Sequence, residues 1–284
     1  MRQRAPACSR RAAGDAQSLD RTASTMELAD RLEELGAEIE LFVCRPPTLL
    51  GDLVLFGLAT DVLETAEAVL NTAVSGLPHK AYANARLAFE GAQNLLALST
   101  HEDYPAAGAR AWVYFESKSA KWRASRRAQH HQADTGSAEK WLDQRVGQMA
   151  RIWDSVCPGK SALLFDAVKL VRKTGKKPPD NWLHENMADR EDRAYAMFAA
   201  RGSREMSGHT AELSKMMYAV LCHETHSHPR LDSFGLVSGH REGVLRVDRL
   251  PRDLSQARHA VTSGTELAVW DAALALRWQR SGAV

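Results

Sequence analysis

Late in the chain, Cys222-His223-Glu224-Thr225-His226-Ser227-His228-Pro229 gathers three imidazoles and a thiol within eight residues. Histidine titrates near neutrality and is the commonest metal ligand, so this run could transfer protons or hold an ion. Cys222 and His226 stand one helical turn apart, and Cys/His clusters of this density hold zinc or another transition metal. His223 and His226 are only three residues apart, whereas the metalloprotease pair needs histidines at i and i+4. The plainer reading is a polar helix C-terminus, where cationic imidazoles oppose the helix dipole favourably. No second cysteine or carboxylate ligand is evident, so the sequence calls for neither a metal nor a cofactor.

Arg86 and Glu90 stand at i and i+4 with the arginine first, the weaker orientation for an exposed pair. Their helix face continues through Tyr82, Phe89 and Gln93 and is only half apolar. Two readings follow. The pair is a partly buried ion pair that fixes helix register, or it borders a polar pocket. In the second case Arg86 binds an anion and a late-chain histidine moves a proton. Buried charges are costly unless paired, so both readings require a satisfied network.

Two stretches are basic and free of acid. Ser117 to His131 holds Lys118, Lys121, Arg123, Arg126 and Arg127 around Trp122, and Lys169 to Lys177 holds Lys169, Arg172, Lys173, Lys176 and Lys177. Each could neutralise several phosphates, and Trp122 could stack on a base, which makes the first stretch a candidate nucleic-acid contact. A solvated helix face would look the same. Small helical ribonucleases of the HEPN type pair an arginine with a histidine five to seven residues later. Arg123/His130, Arg126/His131, Arg204/His209 and Arg252/His259 have that spacing, but 27 Arg and 11 His in 284 residues produce about as many by chance. Neither a phosphate-cradling Gly loop nor a G-x-S-x-G elbow occurs.

Three separated segments carry a resemblance: Ala85-Arg86-Leu87-Ala88-Phe89-Glu90, then Ala109-Arg110-Ala111-Trp112-Val113-Tyr114, then Tyr218 through Cys222 into Thr225-His226-Ser227-His228-Pro229. In this order they are similar to a bacterial family of uncharacterised helical proteins, domain of unknown function five-six-seven-seven. Its members resemble R-x-x-x-E on one helix, an Arg and a Tyr on the next, and Tyr-x-x-x-S-x-x-x-H late in the chain. The resemblance implies a candidate site of Arg86, Glu90, Arg110, Tyr114 and Tyr218 with His226 or His228, both of which fit as the matching histidine. Cys222 stands where the family more often has Ser. The family brings no activity, so the resemblance bears on fold and site location. The expected geometry puts Arg86 or Arg110 within about 8 Å of the His226 or His228 ring, close enough for a shared anion or one bridging water.

Positioning these side chains falls to helices. Apolar residues recur at helical spacing from Ser24 onward. Ser24-Thr25-Met26-Glu27 reads as a capping box ahead of Leu28, Leu32, Leu35, Ile39 and Phe42. The pattern then predicts a helix from about 49 to 74 stopped by Gly76, and a third after Pro78 with Ala81, Ala85, Ala88, Ala92 and Leu95 on one face. A fourth is capped by Asp103 and Pro105 and carries Trp112, Phe115 and Trp122. Beyond a polar loop around residues 130–137, further helices hold Trp141 to Trp153, Ala162 to Val171, the Asp180–Trp182 region, Leu213 to Leu221, and about 254 to 278. Val244 to Val247 is the one plausible strand. The expected fold is all-α, a single multi-helix bundle of about eight helices.

Composition agrees: 44% hydrophobic residues, 37 basic against 35 acidic side chains and a net charge of +2 describe a globular chain rather than a general polyanion binder. Residues 1–24 carry five arginines against two aspartates and no apolar run, so they read as a disordered basic tail ahead of one helical domain over 25–284. Four scattered cysteines without a C-x-x-C pair fit a cytoplasmic setting, and no stretch is long enough to span a membrane. The favoured expectation is an RNA-directed protein, cleaving or binding, of the HEPN-like toxin or phage-defence kind, with RNA and a second copy of the chain as partners. The rival is a non-catalytic helical module that binds a small anion or another protein.

Overall fold

The structure, a computed structural model, describes residues 9–44, 50–129, 137–173, 187–200, 211–225, 234–238, 245–249 and 254–281. Nine α-helices account for nearly all of them: α1 (Ser9–Val43), α2 (Leu50–Val74), α3 (Tyr82–Ser99), α4 (Tyr104–Gln129), α5 (Ser137–Val156), α6 (Ala162–Lys173), α7 (Met187–Ala200), α8 (Ala211–Thr225) and α9 (Leu254–Arg280). A 3-10 turn at Pro78–Lys80 precedes α3. The fold is all-α, and among the described residues the only strands are β1 (Phe234–Ser238) and β2 (Leu245–Arg249), which pair antiparallel with Leu236 opposite Val247.

The helix ends show why the sequence folds this way. Asp103 accepts the Ala106 backbone N–H at 3.2 Å through its side chain, satisfying an orphan donor of α4. At the end of α2, Gly76 adopts φ +78°, and the N–H groups of Gly76 and Leu77 close onto the carbonyls of Ala73 and Thr72. That double closure needs a left-handed residue, which glycine supplies without a Cβ penalty. One cap behaves otherwise. Ser24-Thr25-Met26-Glu27 lies inside α1, which begins at Ser9, within the stretch expected as a tail. A hydroxyl caps only where the chain leaves the helix, and here the backbone stays helical through it.

The chain forms two compact units. The first comprises Met1–Leu35, Val62–Glu90 and Glu212–Trp270; the second comprises Gly36–Asp61, Gly91–Ala211 and Asp271–Val284. No linker or composition shift in the sequence marks this division. The first unit buries Leu28, Val69, Ala85, Phe89, Leu221 and Val261. Its α8 sits tightly on α9 because residue 264 is glycine: a Cβ there would meet Met217 Cε at 3.1 Å and Leu221 Cδ1 at 3.3 Å.

In the second unit α4 packs on α5 and α6. The first turn of α2 crosses α4 at Gly51 and Gly108, where a Cβ on Gly108 would lie 2.4 Å from the Gly51 Cα. Tyr104 closes the same crossing and donates its hydroxyl to the buried Asp52 at 2.8 Å. Two further buried acids are held likewise: Glu38 by Arg277 Nε at 2.9 Å, and Asp271 by Gln93 Nε2 at 3.2 Å with Tyr195 alongside. Each is a carboxylate taken from water and matched to donors, as burial demands.

Candidate functional site

In the first unit, α3 and α8 bring three of the expected residues together. Arg86 Nε donates to Glu90 Oε1 at 2.8 Å, along one face of α3. The Tyr218 hydroxyl, on α8, donates to that same oxygen at 3.1 Å. Beneath the polar contact the fully buried Phe89 stacks on the Tyr218 ring, with centroids 6.1 Å apart and planes at 26°. The Arg86 guanidinium carbon stands 5.9 Å from the Tyr218 ring centroid, so ring and cation share one surface.

The electrostatics fix each role. Hydrogen bonding to Glu90 raises the Arg86 pKa above its usual value, so the guanidinium is a permanent cation. Burial first, then a hydrogen bond with Cys222 and the charge of Glu90, push the Tyr218 phenol well above its ordinary range. Tyr218 is therefore a donor that holds Glu90 in place, and not a base. Among the described residues, Arg86 bonds only through Nε and Glu90 only through Oε1. Among those residues the terminal nitrogens of Arg86 and the Oε2 of Glu90 meet no partner, which suits them to a ligand.

The other expected members are placed differently. Arg110 and Tyr114 belong to the second unit. Arg110 Nη2 lies 3.3 Å from His101 Nε2, while His101 Nδ1 lies 3.0 Å from the Asp103 backbone nitrogen. A neutral imidazole accepts at only one nitrogen, so only one of these contacts is a true hydrogen bond in that state. Tyr114 is buried against Phe115, edge to face, with the Lys118 ammonium 5.1 Å from its ring centroid. His226 and His228 lie outside the described residues, and with them the expected 8 Å approach and the Cys222-His223-His226-His228 cluster. Among the described residues no group of three His, Cys, Asp or Glu side chains is placed to hold a metal.

The second unit contains a cleft of about 720 Å3 that the sequence did not reveal. One wall is α2, with Val54, Gly57, Leu58 and Asp61. The opposite wall is α4, with Trp112, Phe115, Glu116, Ser119 and Arg123, and α5 adds Trp141 and Arg145. The α4 residues recur at helical spacing on one face, mixing rings with charge. Two guanidiniums lie over Trp141, Arg123 at 5.0 Å and Arg145 at 5.8 Å from the ring centroid. Arg145 is tied to Glu116 at 2.9 Å; Arg123 forms no ion pair among the described residues.

The first basic stretch runs along α4 beside this cleft. Lys118, Lys121, Arg123 and Arg126 have no acidic partner among the described residues. Trp122 is 59% exposed, with the Arg126 guanidinium 5.1 Å from its ring centroid. Lys118, Trp122 and Arg126 are spaced four apart and form one stripe. The side chain of Arg127 lies outside the described residues. The second basic stretch differs: Lys169 pairs with Asp166 at 2.9 Å and Arg172 with Asp143 at 2.6 Å, while Lys176 and Lys177 lie outside the described residues.

A family model described as a family of unknown function (DUF5677) matches residues 52–239, about two thirds of the chain. The matched span includes Arg86, Glu90 and Tyr218, and every residue lining the cleft. Neither the curated proteins nor the solved structures supply a match.

Proposed function

The chain belongs to the family of unknown function DUF5677, and from that premise we propose that it is an RNA-directed protein whose contact with RNA runs along α4. The observation that carries this reading is the stripe itself. Lys118, Lys121, Arg123 and Arg126 meet no acidic partner among the described residues and stand next to an exposed Trp122. Uncompensated cations release counterions on meeting phosphates, and an exposed indole stacks on an unpaired base, the pairing that single strands favour. Free thiols at Cys44, Cys157 and Cys222 suit action in the cytoplasm. No helix among the described residues is long and apolar enough to cross a membrane.

Binding is the core of this proposal, and cleavage is its extension. The cleaving version, of the HEPN-like toxin or phage-defence type, needs a histidine such as His226 or His228 and a second copy of the chain. The deciding experiment incubates total RNA with wild type and with His226→Ala, with and without chelator, beside an anisotropy titration of a labelled single strand. Saturable binding without degradation supports a binding protein, and degradation lost in His226→Ala supports a nuclease. The absence of both binding and degradation would remove the RNA reading.

A second reading has its own observation. The open terminal nitrogens of Arg86, beside a Glu90 steadied by Tyr218, form a fork suited to a small oxyanion. Calorimetric titration with inorganic phosphate tests it: heat present in wild type and absent in Arg86→Ala supports a non-catalytic anion-binding module.

A further inference from the structure

We propose that the cleft between α2, α4 and α5 is a nucleotide site, which receives one base against its aromatic wall and that nucleotide's phosphate at Arg123. The idea rests on the RNA reading only for the strand that would deliver the nucleotide; a free mononucleotide fits by the same chemistry. At about 720 Å3 the cleft falls within the roughly 300–1,000 Å3 of small-molecule sites.

Its lining narrows the ligand class. Trp112, Phe115 and Trp141 offer flat apolar area, with Val54 and Leu58 facing them from α2. A planar, uncharged ring system satisfies that wall. Two guanidiniums already stand 5.0 Å and 5.8 Å from the Trp141 ring centroid, so a cationic aromatic ligand is repelled. Arg123 is exposed and carries no ion pair among the described residues, which leaves its donors for a phosphate at the mouth. Arg145 is committed to Glu116 and fixes that carboxylate in the cleft wall.

The Glu116 carboxylate then selects the base. Arg145 occupies Oε1, and no other contact is made to this side chain among the described residues, so Oε2 remains an acceptor on a side chain that lines the cleft. An acceptor at this place pairs with an amino or imino donor on a base edge. Guanine, with adjacent N–H and NH2 donors and the largest stacking area, fits better than uracil, which offers a single N–H.

Lys118, Trp122 and Arg126 continue from the cleft face around α4. A strand lying on that stripe can therefore place one nucleotide inside while its neighbours stay on the surface.

The test uses the full chain and the tryptophan fluorescence of the cleft, titrated with GMP, UMP, guanosine and inorganic phosphate. GMP should bind saturably and more tightly than UMP. Arg123→Ala should weaken GMP by about tenfold or more while leaving guanosine unchanged. Trp141→Leu should weaken both; because that side chain is half-buried, Trp141→Phe and far-ultraviolet dichroism check that lost binding is not lost folding. Glu116→Gln should narrow the gap between GMP and UMP. No saturable binding by GMP, or GMP binding indifferent to Arg123→Ala and Trp141→Leu alike, overturns the proposal. Phosphate binding as tightly as GMP overturns the base-recognition part. GMP binding with no affinity for single-stranded RNA upholds the cleft and removes the RNA reading. RNA binding lost in Lys118→Ala/Lys121→Ala/Arg126→Ala, together with no saturable binding of GMP, does the reverse.

Discussion

Tyr218 places its hydroxyl 3.1 Å from Oε1 of Glu90, a residue 128 positions earlier in the chain. The same oxygen accepts from Arg86. Two donors on one oxygen localise the carboxylate, the other oxygen meets no partner among the described residues, and the arrangement sets α8 against α3 in the first unit.

Removing the hydroxyl alone should cost little. Tyr218→Phe keeps the stack on Phe89 and leaves Glu90 bonded to Arg86, so stability should fall by about 1 kcal/mol. Tyr218→Ala also removes the ring and should cost about 3 kcal/mol. Urea unfolding of both variants, with m unchanged, measures the difference.

Alkaline stability should depend on the same residue. Folding raises the Tyr218 pKa above its ordinary 10.0, chiefly through burial. Above that value the unfolded chain loses a proton that the folded chain keeps, so unfolding is favoured as pH rises. The stabilisation is complete below pH 10 and is lost as pH climbs from there through the folded value. Tyr218→Phe should flatten that limb, and absorbance at 295 nm should show a late-titrating component that is lost in this variant.

Glycines at two places should respond oppositely to alanine. Gly108→Ala puts a Cβ 2.4 Å from the Gly51 Cα, so the helices must shift, and overpacking of that kind costs about 1–3 kcal/mol or more. Gly147→Ala, inside α5 with nothing within 4 Å of its Cβ, should gain roughly 0.5–1 kcal/mol from helix propensity. Thermal melts of the two variants should shift in opposite directions.

Affinity for single-stranded RNA should fall steeply with salt. Four phosphates met by Lys118, Lys121, Arg123 and Arg126 give a slope of about −3 in log K against log salt. The Lys118→Ala/Lys121→Ala/Arg126→Ala variant should reduce that slope by about 2. Anisotropy across a salt series reads both.

Much of this was legible from local chemistry. Gly76 and Asp103 announce helix ends because capping uses nearby backbone groups. Arg86 and Glu90 are neighbours on any helix, and their pairing follows from spacing. Their meeting with Tyr218 came from resemblance, since no local rule joins residues so far apart. The cleft was not legible: Trp112, Phe115 and Trp141 read as core, and only the tertiary placement of α2 and α5 makes them a wall. The charge of the second basic stretch misleads for a related reason. Arg172 finds Asp143 on another helix, which a search for acids within the run cannot see. The strand β2 was expected near residues 244–247, whereas its partner Phe234–Ser238 sits in a Gly-rich stretch without marked alternation.

The crossing at Gly51 and Gly108 has a consequence for selectivity. Both helices run onward from that contact to line the cleft, where Leu58 stands about 10 Å further along α2. They behave as the arms of a pair of dividers whose pivot is two hydrogens wide. Atoms added at the pivot, out of reach of any ligand, would spread the arms and recalibrate the thickness of ring they admit. The gauge of the cleft is thus written in residues that never touch what it measures.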